Sequence, residues 1–268
     1  MMQTLDAPGA TLAYGVLGSG PVLVLIGHPM PADGFRALAA ELATDRTVVL
    51  HDPRGTGAST MADPTELPDP EVLADDLSRV IAAVTDQPVD VFGSSGGGIA
   101  ALVLASRHPE QVATVVAHEP PLTEYLPDAA ELRERLAGVS ATHREQGLFP
   151  AMGAFMAIAG FAPPAPAADA PPPPPPSEAD LRSMTRMVLG IETVPTHRLD
   201  AAALPTDRVR IGVGAWSGDA ALTGRTSRAV AAELGVPLDV FPGGHGGFHP
   251  GQGGDPAAFA AVLRTALG

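Results

Sequence analysis

The chain of 268 residues contains no cysteine, and all of its 16 basic residues are arginines, so lysine is absent as well. The lack of cysteine excludes disulfides, thiol catalysis and cysteine metal sites, although it does not indicate a compartment. No stretch is long and apolar enough for a transmembrane helix, and residues 1–6 lack the basic and apolar regions of a signal peptide. A cytoplasmic protein is therefore expected.

Positive charge is also scarce, because the chain has 16 arginines and 30 acidic residues, which give a net charge of −14 at pH 7. An acidic surface disfavours nucleic acids and anionic membranes as partners. The eight histidines show no close ligand spacing such as H-E-x-x-H, so neither a metal nor another cofactor is expected. The acidic charge gives no specific information about a small-molecule substrate, and the sequence indicates no oligomeric state.

What the sequence does contain is an alternation of apolar runs with helical patterns, typical of one α/β domain with an insertion. Residues 3–17 read as a short hairpin with a strand at 11–14, and further strands are predicted at residues 21–26, 46–51, 112–117, 208–213 and 237–241. The runs at 21–26, 46–51 and 112–117 read as buried strands. Helical patterns occupy residues 35–43, 71–85, 226–234 and 256–267. Strands that alternate with helices predict a parallel sheet with right-handed crossovers.

The alternation stops between residues 127 and 204, where helical patterns continue without a clear strand. Residues 129–145 and 178–189 are the best helices there, and residues 149–161 read as an apolar helix or loop. Between them, residues 162–176 end in six consecutive prolines, which cannot form a helix or donate sheet hydrogen bonds. This segment is predicted to be an exposed polyproline stretch, which the sequence favours as a spacer over a docking site for a proline-binding partner.

One further stretch, residues 89–102, changes from an apolar strand pattern into an Ala-rich helix through Gly93-Ser94-Ser95-Gly96-Gly97, which fits G-x-S-x-G. A strand that turns directly into a helix holds the central residue in a strained conformation and exposes its side chain at the strand end. The helix N-terminus directs its free N–H groups to the same point. Ser95 is therefore the candidate nucleophile.

Three other segments accompany this turn: a loop after residue 26, the D-P-R-G-T-G-A-S loop at residues 52–59, and the turn P-G-G-H at residues 242–245. Together the four segments resemble the α/β-hydrolase family. The resemblance implies an α/β-hydrolase fold, an α/β architecture with a mostly parallel twisted central sheet flanked by helices and a helical cap after the sixth strand. It places the core at residues 1–121 and 205–268 and the cap at residues 122–204.

The resemblance also implies a triad. His245 follows the last strand and is the expected general base, which its strand-end position favours over His249. The acid is open between two carboxylates. Glu119 stands directly after the sixth strand, whereas Asp219 lies two residues beyond the family's usual position, which Ser217 occupies here. The sequence favours Glu119 and keeps Asp219 as the alternative.

An oxyanion hole in this family needs two donors, and the first is expected to be the N–H of Gly96. An ungapped match of the loop after residue 26 to the family's H-G-x motif places Pro29 at the second donor position. Proline has no N–H. The N–H of Met30 or the side chain of His28 would then have to replace it.

These residues predict a serine hydrolase that acts on a small or medium apolar ester, lactone or related carbonyl compound through an acyl-enzyme. A serine nucleophile argues against dehalogenase and epoxide-hydrolase chemistry. The alternative is a non-hydrolytic protein of the same fold, either a lyase, an acyl transferase or a ligand-binding protein. Candidate substrate contacts are Ser94, Phe155, Met156 and Met187, with Phe149, Met152, Phe161 and Met184 as further apolar candidates. Asp52 and Arg54 are expected to brace the loop beside the site.

Overall fold

A computed structural model describes residues 2–160 and 175–268, and nine strands in these ranges form one sheet. The strands are β1 (Met2–Ala7), β2 (Ala10–Gly18), β3 (Val22–His28), β4 (Thr47–Asp52), β5 (Thr60–Met61), β6 (Val89–Ser95), β7 (Val112–His118), β8 (Val209–Gly214) and β9 (Leu238–Phe241). Their spatial order is β1-β2-β4-β3-β6-β7-β8-β9, and the short β5 pairs with β2. If the two-residue β5, which the sequence analysis did not predict, is left out, β7 is the sixth strand along the chain.

Most of the sheet is parallel, as the alternation of strands and helices predicted. All strand pairs from β4 through β9 along this order are parallel, whereas β1 pairs with β2, and β2 with β4, in antiparallel fashion. Parallel strands are covered on both faces, which explains the uninterrupted apolar run Leu23–Ile26, fully buried here. The carboxyl ends of β3, β6, β7 and β8 therefore meet at one edge of the sheet.

Eight α-helices accompany the strands within the described ranges. They are α1 (Arg36–Leu42), α2 (Pro70–Val84), α3 (Gly96–Arg107), α4 (Ala129–Gln146), α5 (Leu148–Ala159), α6 (Glu178–Leu189), α7 (Leu222–Leu234) and α8 (Pro256–Leu267). Alternate residues of the strands build two cores. Val24 and Ile26 pack with α2, α3 and α7, whereas Leu23 and Leu25 pack with α1 and α8. The sheet thus lies between two helical layers.

The insertion between β7 and β8 is helical, and its described residues contain no strand. Helices α4, α5 and α6 pack together through a small core of their own, formed by Leu136, Val139, Ala151, Val188 and Ile191. Phe161 and residues 162–174 of the proline-rich segment lie outside the described residues. The division of the chain into a core and a cap at residues 121/122 and 204/205 stays a prediction. No helix in the described ranges is both long and apolar enough to cross a membrane.

One helix boundary differs from the sequence prediction in a way that matters for the site. Helix α7 begins at Leu222, four residues before the predicted start at residue 226. Gly224 weakens the helical pattern there, since glycine is a poor helix former. It is required because a Cβ at this position would lie 2.4 Å from the carbonyl oxygen of Ser217.

The D-P-R-G-T-G-A-S loop is braced by its two charged residues, as the sequence indicated. Arg54 makes a two-pronged ion pair with Asp76 of α2, with Nε and Nη2 at 2.7 and 2.8 Å from the carboxylate oxygens. Asp52 accepts hydrogen bonds from the amides of Ala32 at 2.7 Å and Ala58 at 2.9 Å. Paired in this way, the buried charges attach the loop to α2 and to the segment at Ala32.

Candidate active site

Ser95 ends β6, and helix α3 begins at the next residue. Its backbone has φ 58° and ψ −129°, a conformation that residues other than glycine rarely adopt and that costs about 1–3 kcal/mol. The turn depends on its glycines. A Cβ on Gly93 would lie 2.4 Å from the Gly97 carbonyl oxygen, and a Cβ on Gly97 would lie 2.4 Å from that of Ile26. The strand, turn and helix predicted around Ser95 are therefore all present.

His245 lies in the turn after β9 and faces the same cavity as Ser95. Its Nδ1 is 2.7 Å from Oε2 of Glu119. A neutral imidazole that donates from Nδ1 carries its acceptor lone pair on Nε2, the atom that takes a proton in general base catalysis. His249, the other histidine considered, is not among the residues that line the cavity.

Glu119 is fully buried directly after β7, with a positive φ of 50°. Its Oε1 accepts a hydrogen bond from the amide of Gly214 at 2.9 Å. Its Oε2 accepts a hydrogen bond from the Thr223 hydroxyl at 2.6 Å, in addition to the one from His245. Burial by itself would raise the pKa of this carboxyl. The hydrogen bond from His245 and the charges of His245 and His118 outweigh it, and the pKa lies well below its usual range. Glu119 therefore stays ionised beside the imidazole.

Asp219, the alternative acid, is placed elsewhere. Its side chain is 97% exposed, and its ion-pair partner is Arg228 at 3.9 Å. Ser217, which occupies the family's usual acid position, is buried and helps to lower the pKa of Glu119. The structure thus brings Glu119, and not Asp219, to His245, because the chain turns outward after Ser217.

A cavity of about 330 Å³ opens in front of Ser95. All four predicted substrate contacts line it, as does Met152, whereas Met184 does not and Phe149 is 59% exposed. The remaining wall includes residues that the sequence did not nominate: Pro121, Leu136, Ala159, Gly190, Ile191, Val194, Pro195, Leu222, Thr223, Gly246, Phe248 and Gln252. Of the residues that the structure describes, no aspartate, glutamate or arginine lines the cavity.

The loop after β3 forms another part of this wall, and His28, Pro29 and Met30 all line it. The parallel register pairs His28 with Ser95. A Cβ on Gly96 would lie 2.9 Å from both Nδ1 and the carbonyl oxygen of His28, so this loop packs directly on the start of α3. Burial, and next the charge of Arg186, lowers the pKa of His28 to about 3. The His28 imidazole is therefore neutral at pH 7.

Known proteins share this architecture. Residues 20–146 match the family model described as alpha/beta hydrolase fold. A crystal structure of a hydrolase from Pseudomonas aeruginosa superposes over 100% of this chain and 98% of its own, with a TM-score of 0.71 and 23% identity. The chain has the α/β-hydrolase fold, and the family model covers slightly less than half of it. At this level of identity, the superposition supports the shared fold of these α/β hydrolases and no particular activity.

Two further comparisons cover different shares of the chain. The enol-lactonase of Burkholderia xenovorans superposes over 99% of both chains, with a TM-score of 0.69 and 16% identity. The uncharacterized hydrolase YraK of Bacillus subtilis is 44% identical over 124 residues, which are 46% of this chain and 46% of YraK. The matched region spans about half the length of the curated relatives.

In the described residues, no group of three acidic or histidine side chains is placed to hold a metal ion.

Proposed function

We propose that this α/β-hydrolase protein is a serine hydrolase that cleaves small or medium apolar esters, lactones or related carbonyl compounds. The observation that carries the proposal is the pairing of His245 with the buried Glu119 in a cavity that Ser95 also lines. A nucleophile, a base and a group that orients the base are the parts that acyl transfer through serine requires.

In the first half of the reaction, Nε2 of His245 takes the hydroxyl proton of Ser95 while Oγ bonds to the substrate's carbonyl carbon. The carbonyl electron pair moves onto oxygen, and the N–H of Gly96 at the start of α3 donates a hydrogen bond to that oxyanion. Collapse of the tetrahedral intermediate restores the carbonyl and expels the alcohol oxygen, which receives the proton from His245. Glu119 stabilises the imidazolium throughout.

The second half repeats these steps with water. His245 removes a proton from a water molecule whose oxygen attacks the acyl carbon. Collapse of the second intermediate breaks the bond to Ser95 Oγ, which recovers its proton from His245. The products are the free acid and the regenerated enzyme, and no cofactor enters either half.

The cavity supports an apolar and uncharged substrate. Its outer wall consists of Met and Phe side chains of the helical insertion, above all Met152, Phe155, Met156 and Met187. Methionine is flexible and adapts to ligands of irregular shape. An ionised group in this cavity would meet no opposite charge among the described lining residues, so its desolvation would be uncompensated.

The test is labelling of the pure protein with a fluorophosphonate, followed by measurement of its intact mass. Ser95→Ala is the negative control, and Ser94→Ala tests whether the neighbouring serine is the one labelled. A single adduct in the parent chain and in Ser94→Ala, absent from Ser95→Ala, supports an activated Ser95. Folded protein without any adduct contradicts the proposal. Turnover of p-nitrophenyl esters then distinguishes a hydrolase from a protein that only binds its ligand or performs lyase or transfer chemistry.

A further inference from the structure

Gln252 is a polar residue of the cavity lining that has no part in the reaction described above. Its side chain lines the cavity and is also exposed to solvent, whereas Ser94 and His28 in the same lining are 3% and 4% exposed. Among the described lining residues, it is the only one with a carboxamide, which both donates and accepts hydrogen bonds. Gln252 therefore presents a neutral hydrogen-bonding group where the cavity opens.

The main chain fixes the position of this residue. Gln252 ends a single turn of 3₁₀ helix, Pro250–Gln252. The carbonyl oxygen of His249 accepts hydrogen bonds from the N–H of Gln252 at 3.0 Å and from the N–H of Gly254 at 3.1 Å. A Cβ on Gly254 would overlap the carbonyl group of Gly247, so the turn packs closely on the segment after His245. Backbone contacts hold the turn, and the side-chain amide is available to a ligand.

The side chain of Gln252 lies beside the catalytic base. It packs on the backbone of Gly246, the residue directly after His245, since a Cβ on Gly246 would lie 2.6 Å from Cδ of Gln252. In acyl transfer the base returns its proton to the departing alcohol oxygen, so the alcohol part of an ester lies on the side of His245. The carboxamide is therefore placed for the alcohol part of the substrate.

The opposite part of the cavity has a different character. Its wall from α5 and α6 consists of apolar side chains, among them Met152, Phe155, Met156 and Met187. Ligand cavities are commonly apolar and fix the orientation of a ligand through a small number of polar groups. One amide next to the base and an apolar wall in the helical insertion distinguish the two ends of an ester.

We propose that Gln252 is a specificity-determining residue whose carboxamide hydrogen-bonds a polar group in the alcohol part of the substrate. The substrate class is then an uncharged ester with an apolar acyl chain and an alcohol part that carries an ether or hydroxyl oxygen. The inference rests on the proposed serine-hydrolase function and deepens it. It assigns the acyl chain to the wall from α5 and α6 and the alcohol to the turn that holds Gln252.

The test compares two esters of equal length, 2-methoxyethyl butanoate and butyl butanoate, in the parent chain, Gln252→Met and Gln252→Leu. Methionine keeps the length of the glutamine side chain, and both variants lack the amide. We expect the ratio of kcat/KM for the ether ester to that for the butyl ester to fall roughly 2- to 12-fold in both variants, as for loss of one neutral hydrogen bond. The different reactivity of the two alcohols cancels, because the ratio is compared between chains.

A second pair of esters places the ether oxygen in the acyl part. The ratio for butyl 3-methoxypropanoate and butyl pentanoate should be the same in the parent chain and in both variants, because the amide is assigned to the alcohol. Gln146→Leu, at the end of α4 and outside the cavity lining, is the matched control and should keep both parent ratios. A role of Gln252 in folding alone would lower the rates for all four esters and leave both ratios unchanged.

Three results would overturn the proposal. One is an alcohol-side ratio that is equal in the parent chain and both Gln252 variants. Another is a change of the acyl-side ratio alone, which would place the amide against the acyl chain. The third is a parent chain that fluorophosphonate labels at Ser95 but that cleaves neither alcohol-side ester. Labelling and turnover of p-nitrophenyl esters are measured separately, so any of these results leaves the test of the proposed hydrolase function unaffected.

Discussion

Thr223 donates its hydroxyl to Glu119 Oε2 at 2.6 Å, and the same oxygen accepts Nδ1 of His245 at 2.7 Å. Thr223 lies in the first turn of α7, on the far side of the helical insertion in sequence from Glu119. Together with the Gly214 amide on Oε1, this hydroxyl fixes the orientation of the carboxylate and stabilises its charge.

Thr223→Val removes this hydroxyl and keeps the shape of the side chain. We expect kcat/KM for a p-nitrophenyl ester to fall roughly 10-fold, since a hydrogen bond to a charged group contributes about 1.5–3 kcal/mol. Thr265→Val on α8, which also loses a hydroxyl bonded within its own helix, is the control and should show parent activity. Equal activity of both variants would remove Thr223 from the site.

Glu119→Gln and Asp219→Asn distinguish the two carboxylates that the sequence left open. The buried Glu119 variant loses the charge that stabilises the imidazolium, so kcat should fall by roughly 10³–10⁴, as in other serine triads. Asp219→Asn should keep parent activity, because the Asp219 carboxylate lies in solvent near Arg228, away from His245. Steady-state kinetics on the two purified variants checks both statements, and the opposite ranking would contradict the assignment.

The cavity predicts a preference for uncharged acyl groups of medium length. We expect kcat/KM to rise about fourfold per added methylene while the acyl chain fills the apolar wall, and to fall once the cavity is full. An ester that carries a terminal carboxylate should react more slowly than its methyl-terminated analogue. Met187→Ala should move the optimum to longer chains, whereas Met184→Ala, outside the lining, should not. A flat profile across the ester series would contradict an apolar acyl site.

Acid should destabilise the fold from about pH 6.5 downward because of buried histidines. Burial lowers the pKa of His118 to about 4 and that of His28 to about 3, whereas in the unfolded chain both have the ordinary value of 6.5. The unfolded state therefore binds more protons below pH 6.5, and each histidine costs about 1.4 kcal/mol of unfolding free energy per pH unit until its folded pKa is reached.

His118→Phe is the variant that checks this pH dependence. The ring is fully buried among Phe92, Phe241 and Phe259, so phenylalanine suits its surroundings. Urea melts at pH 6.5 and 5 should show a loss smaller by up to about 2 kcal/mol in this variant. The window lies above the ordinary pKa of Glu119, whose own stabilising charge is lost only at lower pH. An equal loss of stability between pH 6.5 and pH 5 in the variant and the parent chain would show that His118 does not cause the acid sensitivity.

Two glycine-to-alanine changes should have opposite effects on stability. In Gly97→Ala, the new Cβ would lie 2.4 Å from the Ile26 carbonyl oxygen, so β3 or the turn at Ser95 must shift, at a cost of about 1–3 kcal/mol. Gly138, inside α4, has no atom within 4 Å of an added Cβ, and alanine there should gain about 1 kcal/mol. Melting temperatures that move in the same direction for both variants would contradict this account.

Features that depend on neighbours along the chain could be predicted from the amino-acid sequence. The turn at Ser95, the buried parallel strands and most helix boundaries follow from local periodicity, from glycine at crowded positions and from the right-handed crossover. Helix α6 and helix α8 begin and end at the predicted residues. Only short or glycine-weakened segments, such as β5 and the first turn of α7, were missed.

Which side chains come into contact depends on the tertiary structure. Glu119 and His245 are 126 residues apart, and Glu119 and Thr223 are 104 apart, so no local pattern could choose Glu119 over Asp219 or nominate Thr223. The same holds for Met187, which lines the cavity, and Met184, which does not, although both lie on α6. Such choices depend on how helices and loops pack across the sheet, and periodicity specifies only which face of an element is buried, not what that face contacts.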